Sequence, residues 1–392
     1  MSTALIDQPY GPDLDEKEKT ISRIVDEYFI DDDGIVIACI NARTNRPFVD
    51  DDPEVSEIDL NKAWFANGSF PHELKRTCLN YEDSDMATAE LLMAYLARAK
   101  ATCAEEHVDA VELLAGVMIH LNETIAEQNP FGPGFLPKIH GGLKHVHECF
   151  ETSADQYLKW STALEAYAAF TKDEDRKVRV NRILLDMAEW LDAHDFATPY
   201  MGNTNYARLN HLRHYHLTFA YLSALGHSLG GDPHLLEEMV FFKDLALAHS
   251  KPSPSPNSLN LVSEAVGRLL ELSLDHRESW LELVRDDWEL RHNFVKPDGR
   301  IHFSGHYWNH TSRLATNYLV IRKYLPEIEG SLDVDAILRD HHSKTDFLHL
   351  TPGQKLTGPF TDGNYPRYDK FVCGLSYASW LRVYWETRDT LN

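Results

Sequence analysis

Cysteine is scarce: five residues in a chain of 392, at Cys39, Cys78, Cys103, Cys149 and Cys373, and no CxxC pair among them. An odd number so widely spread suggests neither a zinc knuckle nor a disulfide framework, and reduced thiols are expected. Positive charge is also short. Lys and Arg number 38 against 61 Asp and Glu, for a net charge of −23. Such a balance argues against nucleic acid as a main partner and against docking on an anionic membrane leaflet. Long apolar runs are missing as well, none reaching the roughly 18 residues that span a bilayer. The opening stretch, MSTALIDQPYGPDLDEKEK, has no basic region followed by an apolar one, so a cytoplasmic location is expected. Histidine, in contrast, is plentiful, with 21 residues. Its side chain serves proton transfer, metal binding and polar recognition near neutral pH.

Helical periodicity dominates what is there. Ser84–Ala101 places Met86, Leu91, Leu92, Tyr95 and Leu96 on one apolar face. Similar patterns recur along the chain, and strand-like pieces are confined to Gly34–Ile40 and the hairpin-like FVKPDGRIHF. Alternate helices start near 84, 154, 206, 258, 309 and 371. Those starts are separated by roughly 50 to 70 residues, the length of one helical hairpin per repeat. Six hairpins close into a ring with an inner and an outer layer, and a helix over Asp15–Tyr28 supplies the missing outer member. The expectation is an all-α fold, an (α/α)6 toroid of helical hairpins with minor β decoration. It occupies residues 1–392 as a single domain, with residues 1–80 as an N-terminal helix plus an irregular, short-strand segment packed on it.

The starts of the repeating helices share a chemistry. NYEDSD, ETSADQY, GNTNYAR, SPNSLN, HYWNHTSR and GNYPRYDK are all polar and aromatic. In a toroid these N-termini converge on one mouth, where free backbone N–H groups favour hydroxyls and anions. NYEDSDMATAELL puts Glu82, Asp83 and Asp85 at the start of one inner helix. ETSADQYLKW puts Asp155 at the same level of the next. Paired carboxylates facing each other across a mouth are what glycoside hydrolysis needs, one to protonate and one to activate water or stabilise charge. Clustered carboxylates also raise one another's pKa, which suits a general acid. Ordinary helix capping by the same Asp and Ser residues is the competing explanation.

With DSDMATAELLMAYL, TSADQYLKWSTALEAYAAF and the hairpin spacing in view, the chain resembles the six-hairpin glycosidases, which include the unsaturated glucuronyl hydrolases. The resemblance implies that an Asp opens each of two successive inner helices and that the second acts as general acid/base. By motif this is Asp155, with Asp85 or Asp83 as its partner. It further implies a small uronic-acid-containing oligosaccharide as substrate, and it demands no cofactor. Oligomeric state is left open.

The later segments supply the rest of the expected lining. NTNYARLNHLRHYH offers Asn205, Tyr206, Arg208 and His214, and HFSGHYWNHTSR offers Tyr307, Trp308, Asn309, His310 and Arg313. Tyr157, Tyr365 and the other aromatics suit stacking on pyranose C–H faces. Lys138, His140, Arg208, Arg313 and Arg367 suit a substrate carboxylate. Asn, His, Tyr and Arg together would equally serve β-elimination of a uronate, so a polysaccharide lyase is the first alternative. A non-catalytic helical scaffold is the second. His302, His306 and His310 stand at helical spacing, but Gly305 and the Pro297–Gly299 turn interrupt the helix a metal site would need. No metal is expected.

Overall fold

The computed structural model describes residues 13–41, 44–49, 51–52, 80–200, 203–250, 256–272, 275–292, 320, 323–326, 333–340 and 371–389. Helices α1 (Leu14–Tyr28), α2 (Ser84–Thr102), α3 (Glu105–Gln128), α4 (Ala154–Phe170), α5 (Glu174–Ala193) and α6 (Arg213–Ser228) are followed by α7 (His234–Ala248), α8 (Pro256–Glu271) and α9 (Arg277–His292). Two more are α10 (Val334–Asp340) and α11 (Gly374–Asp389). Short strands β1 (Cys39–Asn41) and β4 (Phe371–Cys373) pair antiparallel, as do β2 (Ala197–Tyr200) and β3 (Asn203–Tyr206).

Two kinds of helix alternate. α2 buries residues all around its circumference, from Asp85 and Met86 through Glu90, Leu91, Leu92 and Met93. α4, α6, α8 and α11 are covered in the same way. A helix buried on every side belongs to an inner layer. α5 buries only a stripe: Val180, Leu184, Met187, Ala188, Trp190 and Leu191. α3, α5 and α7 each pack this single face on the inner helix before them. α1 does the same for α11: Lys17 Nζ lies 5.6 Å from the Trp380 ring centre, and the Tyr384 hydroxyl donates to Asp15 at 2.6 Å. One hydrophobic cluster runs through all of them, from Leu14 to Tyr384.

Charge sits at the middle of that apolar ring. Lys159 of α4 is ion-paired to Glu90 of α2 and to Glu264 of α8. Arg382 of α11 reaches the same two carboxylates at 3.1 and 3.0 Å, and Glu386 at 2.8 Å. Glu90, Lys159, Glu264 and Arg382 are all at most 5% exposed. Burial pushes the Glu264 carboxyl up, but Lys159 and Arg382 outweigh it and hold it below its ordinary value. Such a cluster contributes little over a well-packed apolar core, yet it is costly to break and admits one register of the four helices.

Local differences from the sequence reading have local causes. The third inner helix starts at Arg213, not near 206, because Ala197–Tyr200 and Asn203–Tyr206 form a hairpin with Thr198 opposite Asn205. Gly34–Ile40 is mostly irregular, with a true strand only at Cys39–Asn41. FVKPDGRIHF lies outside the described residues.

Replacing Lys159 by Met leaves Glu90 and Glu264 facing a single cation. A loss of about 3–5 kcal/mol in urea unfolding is expected. Lys177→Ala, which removes an exposed pair with Glu174 at 3.5 Å, serves as the reference and should shift stability by no more than about 0.5 kcal/mol. Equal effects of the two substitutions would remove the structural role assigned to the cluster.

Candidate active site

The mouth is defined by what the inner helices do not do at their N-termini. Asp13 and Asp173 cap the outer helices α1 and α5 by accepting backbone N–H groups of the first turn. Asp83 and Ser153 occupy the cap positions of the inner helices α2 and α4, yet neither side chain makes a capping bond. The Ser153 hydroxyl instead donates to Asp155 Oδ1, which also accepts the Gln156 N–H at 3.1 Å. Gln156 Nε2 in turn donates to Asp83 Oδ1 at 3.5 Å, joining the starts of the two helices. Capping therefore does not account for these carboxylates.

The segment between α3 and α4 folds back over this end. Gly141 and Gly142 take φ of +90° and +78°, a left-handed pair open to glycine. They follow Lys138 and His140, whose side chains turn inward and are almost wholly buried. Lys138 Nζ donates to Glu82 Oε1 at 2.8 Å and to the Glu82 carbonyl at 3.1 Å, and lies 3.9 Å from Asp83. His140 Nε2 is 3.4 Å from Glu82 Oε2. From the β2–β3 hairpin the Tyr200 hydroxyl donates to Glu82 Oε1 at 2.8 Å, and its ring centre lies 4.9 Å from Lys138 Nζ. The Thr152 N–H donates to the Pro199 carbonyl at 2.8 Å, which fixes the hairpin against the start of α4.

The electrostatics follow from crowding. Burial raises the Glu82 carboxyl to about 7, helped by Asp83 and opposed by Lys138 and Tyr200. Glu82 Oε1 accepts from Lys138 and Tyr200, while Oε2 faces His140 Nε2. Asp85 is 1% exposed, and burial pushes its carboxyl well above the usual range, with Asp83, Glu82 and Asp155 adding repulsion. Among the described residues its Oδ1 has no hydrogen-bond partner. Burial opposes the Lys138 charge, but Glu82, Asp83 and Asp155 outweigh it and hold the ammonium firmly protonated. Across from them, the His214 ring nitrogen Nδ1 is 2.8 Å from Ser258 Oγ, and burial lowers its pKa to about 4. Burial and then the Asp155 charge lift Tyr215 to about 12. His214 and Tyr215 are thus neutral near pH 7.

The expected site residues divide accordingly. Asp83, Asp155, His140 and His214 are brought together. Asp85 is close by in charge but sealed beneath the surface. Tyr157 is fully buried: its hydroxyl accepts the Leu136 N–H and donates to the Gly134 carbonyl, both at 3.0 Å. It holds the loop and offers no face to a sugar. Asn205 and Tyr206 stand on β3, Tyr206 47% exposed. Arg208 points into the outer layer, where it is paired with Asp195 and, at 2.7 Å, with Glu238. It is occupied there and is not at the mouth. Tyr307, Trp308, Asn309, His310, Arg313, Tyr365 and Arg367 lie outside the described residues.

Sequence reasoning gave Glu82 no role of its own and missed Tyr200, Gln156, Tyr215 and Ser258. The adjacency of Glu82 to Asp83 was the one available signal. As for metals, Asp192, His234 and Glu238 bring ligand atoms within 4.8 Å of one another among the described residues. They belong to outer helices, and the Arg208 guanidinium already occupies one oxygen of Glu238.

No family model matches the chain, and no curated protein does. Among the solved structures that share its architecture are two glycoside hydrolases. One is a glycoside hydrolase family 76 mannosidase from Bacteroides thetaiotaomicron VPI-5482, with a TM-score of 0.57 and 10% identity over 96% of this chain and 98% of that one. The other is a family 76 glycoside hydrolase from a bovine Bacteroides thetaiotaomicron strain, with a TM-score of 0.57 and 10% identity over 99% of this chain and 79% of that one. The fold is an (α/α)6 toroid. Both neighbours are described as family 76 glycoside hydrolases, so the resemblance to unsaturated glucuronyl hydrolases is not shown.

The Glu82 shift has a sign that stability reads out. A carboxyl raised from its ordinary 4.5 to about 7 on folding stabilises fully below about pH 4.5, and that contribution is lost as pH climbs through 7. Between about pH 5 and about pH 9, wild type should therefore lose on the order of 3 kcal/mol more than Glu82→Gln, which cannot ionise. Parallel urea-unfolding curves for the two proteins across that range would contradict the assignment.

Proposed function

We propose that the protein is a glycoside hydrolase whose catalytic carboxyls are Glu82 and Asp155, with Asp83 between them. The carrying observation is a carboxyl poised near neutrality at a mouth that also holds further carboxylates. Glycosidic cleavage passes through an oxocarbenium-like state and needs one group that is protonated at working pH and another that is not. Glu82 is the proton donor: Lys138 and Tyr200 hold Oε1, and Oε2, 3.4 Å from His140 Nε2, delivers the proton to the leaving oxygen. Asp155, oriented by Ser153 and the Gln156 N–H, faces the anomeric carbon or its attacking water. Asp83, nearly half-exposed, stabilises the positive charge that develops on the ring.

The described part of this mouth suits a neutral glycan better than a uronate. Recognition of a substrate carboxylate needs an uncommitted cation. Among the described residues, Lys138 is tied to Glu82 and Arg208 to Asp195 and Glu238, while Asp83 and Asp155 repel a negative charge. The same commitment of the described cations weighs against β-elimination, which begins by neutralising a uronate carboxylate. Exposed aromatic faces for a sugar are at hand in Phe131 and Phe150, 39% and 45% exposed, on the loop that carries Lys138 and His140. One fold neighbour is described as a mannosidase, so mannose-containing oligosaccharides head the substrate panel.

The test is a reducing-sugar assay of wild type, Glu82→Gln and Asp155→Asn on neutral and uronate oligosaccharides, with ultraviolet absorbance followed in parallel. Wild type should release sugar from a neutral glycan, with kcat/KM falling as pH rises through about 7. Each variant should lose about 10²–10⁴-fold in kcat while keeping its helical circular dichroism. Gain of absorbance from an unsaturated product would make the protein a lyase; its loss would restore the glucuronyl reading.

A further inference from the structure

Cys39 and Cys373 are 334 positions apart in the chain and directly opposite each other in the β1–β4 pair. The Gly374 N–H donates to the Ala38 carbonyl at 2.8 Å, so the cysteines occupy a non-hydrogen-bonded position of the antiparallel ladder. In such positions the Cα atoms come within about 4.5 Å and the side chains meet on the same face. That separation lies in the range a disulfide spans without backbone movement. Both thiols are reduced, and they are hydrogen-bonded to one another.

The two sulfurs are not equivalent. Cys373 immediately precedes α11, and it accepts hydrogen bonds from the backbone N–H and side chain of Ser376. The Cys39 thiol donates to it, so the hydrogen bond from Cys39, ahead of the contacts from Ser376, lowers the Cys373 pKa while that of Cys39 is raised. A cysteine at a helix N-terminus, its sulfur accepting hydrogen bonds and a second thiol against it, has the layout of an attacking and a resolving cysteine. Cys103, exposed and without such a partner among the described residues, offers an internal comparison.

We propose that Cys39 and Cys373 form an oxidation site that a hydroperoxide converts to a disulfide, with Cys373 attacking first and Cys39 resolving. In the first step the Cys373 thiolate attacks one peroxide oxygen and the O–O bond breaks. Cys373 becomes a sulfenic acid, and the second oxygen leaves as water after taking up a proton. In the second step the Cys39 sulfur attacks the sulfenic sulfur, the S–O bond breaks, and hydroxide leaves as water with the Cys39 proton. Two thiols and one hydrogen peroxide thus give one disulfide and two waters. The bond joins the strand beside Asn80, whose carbonyl accepts the Ala38 N–H at 2.6 Å, to the start of α11. It sits behind the mouth, close enough for Asp83 and Glu82 to act on Cys39 electrostatically.

The experiment treats the folded full-length protein with a small molar excess of hydrogen peroxide, blocks remaining thiols with iodoacetamide and maps peptides by mass spectrometry. A Cys39–Cys373 linked peptide should form, and the melting temperature should rise by roughly 5 °C until dithiothreitol reverses it. Cys39→Ser should stop the reaction at a sulfenic acid on residue 373 that dimedone traps, while Cys373→Ser should leave Cys39 unoxidised. Should the wild-type map show both cysteines alkylated, or either one bridged to Cys78, Cys103 or Cys149, the proposal fails whatever the variants do.

Discussion

Lys159 and Arg382 lie buried between Glu90, Glu264 and Glu386 where α2, α4, α8 and α11 meet. Each cation bridges two helices through both carboxylates, so sliding any of the four along the ring axis breaks an ion pair in an apolar surrounding. That constraint sets the mouth above it. Asp155 is four residues before Lys159 on α4, one helical turn up on the same face. Asp83 is seven before Glu90, two turns up from the carboxylate that Lys159 holds. Fixing the deep ions therefore fixes the direction in which the upper carboxyls point.

At the mouth the same physics runs in reverse. Lys138 is the described cation there, against Glu82, Asp83, Asp85 and Asp155. One positive charge among four acidic groups cannot keep all of them ionised at low solvent exposure, and the most buried take up protons. Asp85 lies too deep to reach a substrate. Glu82 retains a narrow outlet to solvent, with its side chain 13% exposed, which separates a usable acid from a structural one. The dipoles of the uncapped inner helices add to this site, because their first-turn N–H groups are not consumed by Asp83 or Ser153.

The sequence made the architecture readable and the chemistry only in part. Hairpin spacing is a local property repeated along the chain, and it survives in the alternation of inner and outer helices. Asp83 and Asp155 could be placed because each sits beside a recognisable helix start. Glu82 could not be assigned as the acid, since its pKa depends on Lys138, 56 residues away, and Tyr200, 118 residues away. Tyr157 and Arg208 looked like sugar ligands because aromatic and basic residues near a helix start suit one. Their actual partners, the Gly134–Leu136 backbone and the Asp195–Glu238 pair, are brought to them by tertiary packing alone. The β1–β4 pairing of Cys39 with Cys373 was invisible for the same reason.

The central claim is that Glu82 delivers the proton to the leaving group. The most direct test compares Glu82→Gln on the natural oligosaccharide and on a dinitrophenyl glycoside of the same sugar, whose leaving group departs without protonation. The account predicts that the variant loses most of its turnover on the oligosaccharide and keeps near wild-type turnover on the aryl glycoside. An equal loss on both substrates would contradict it.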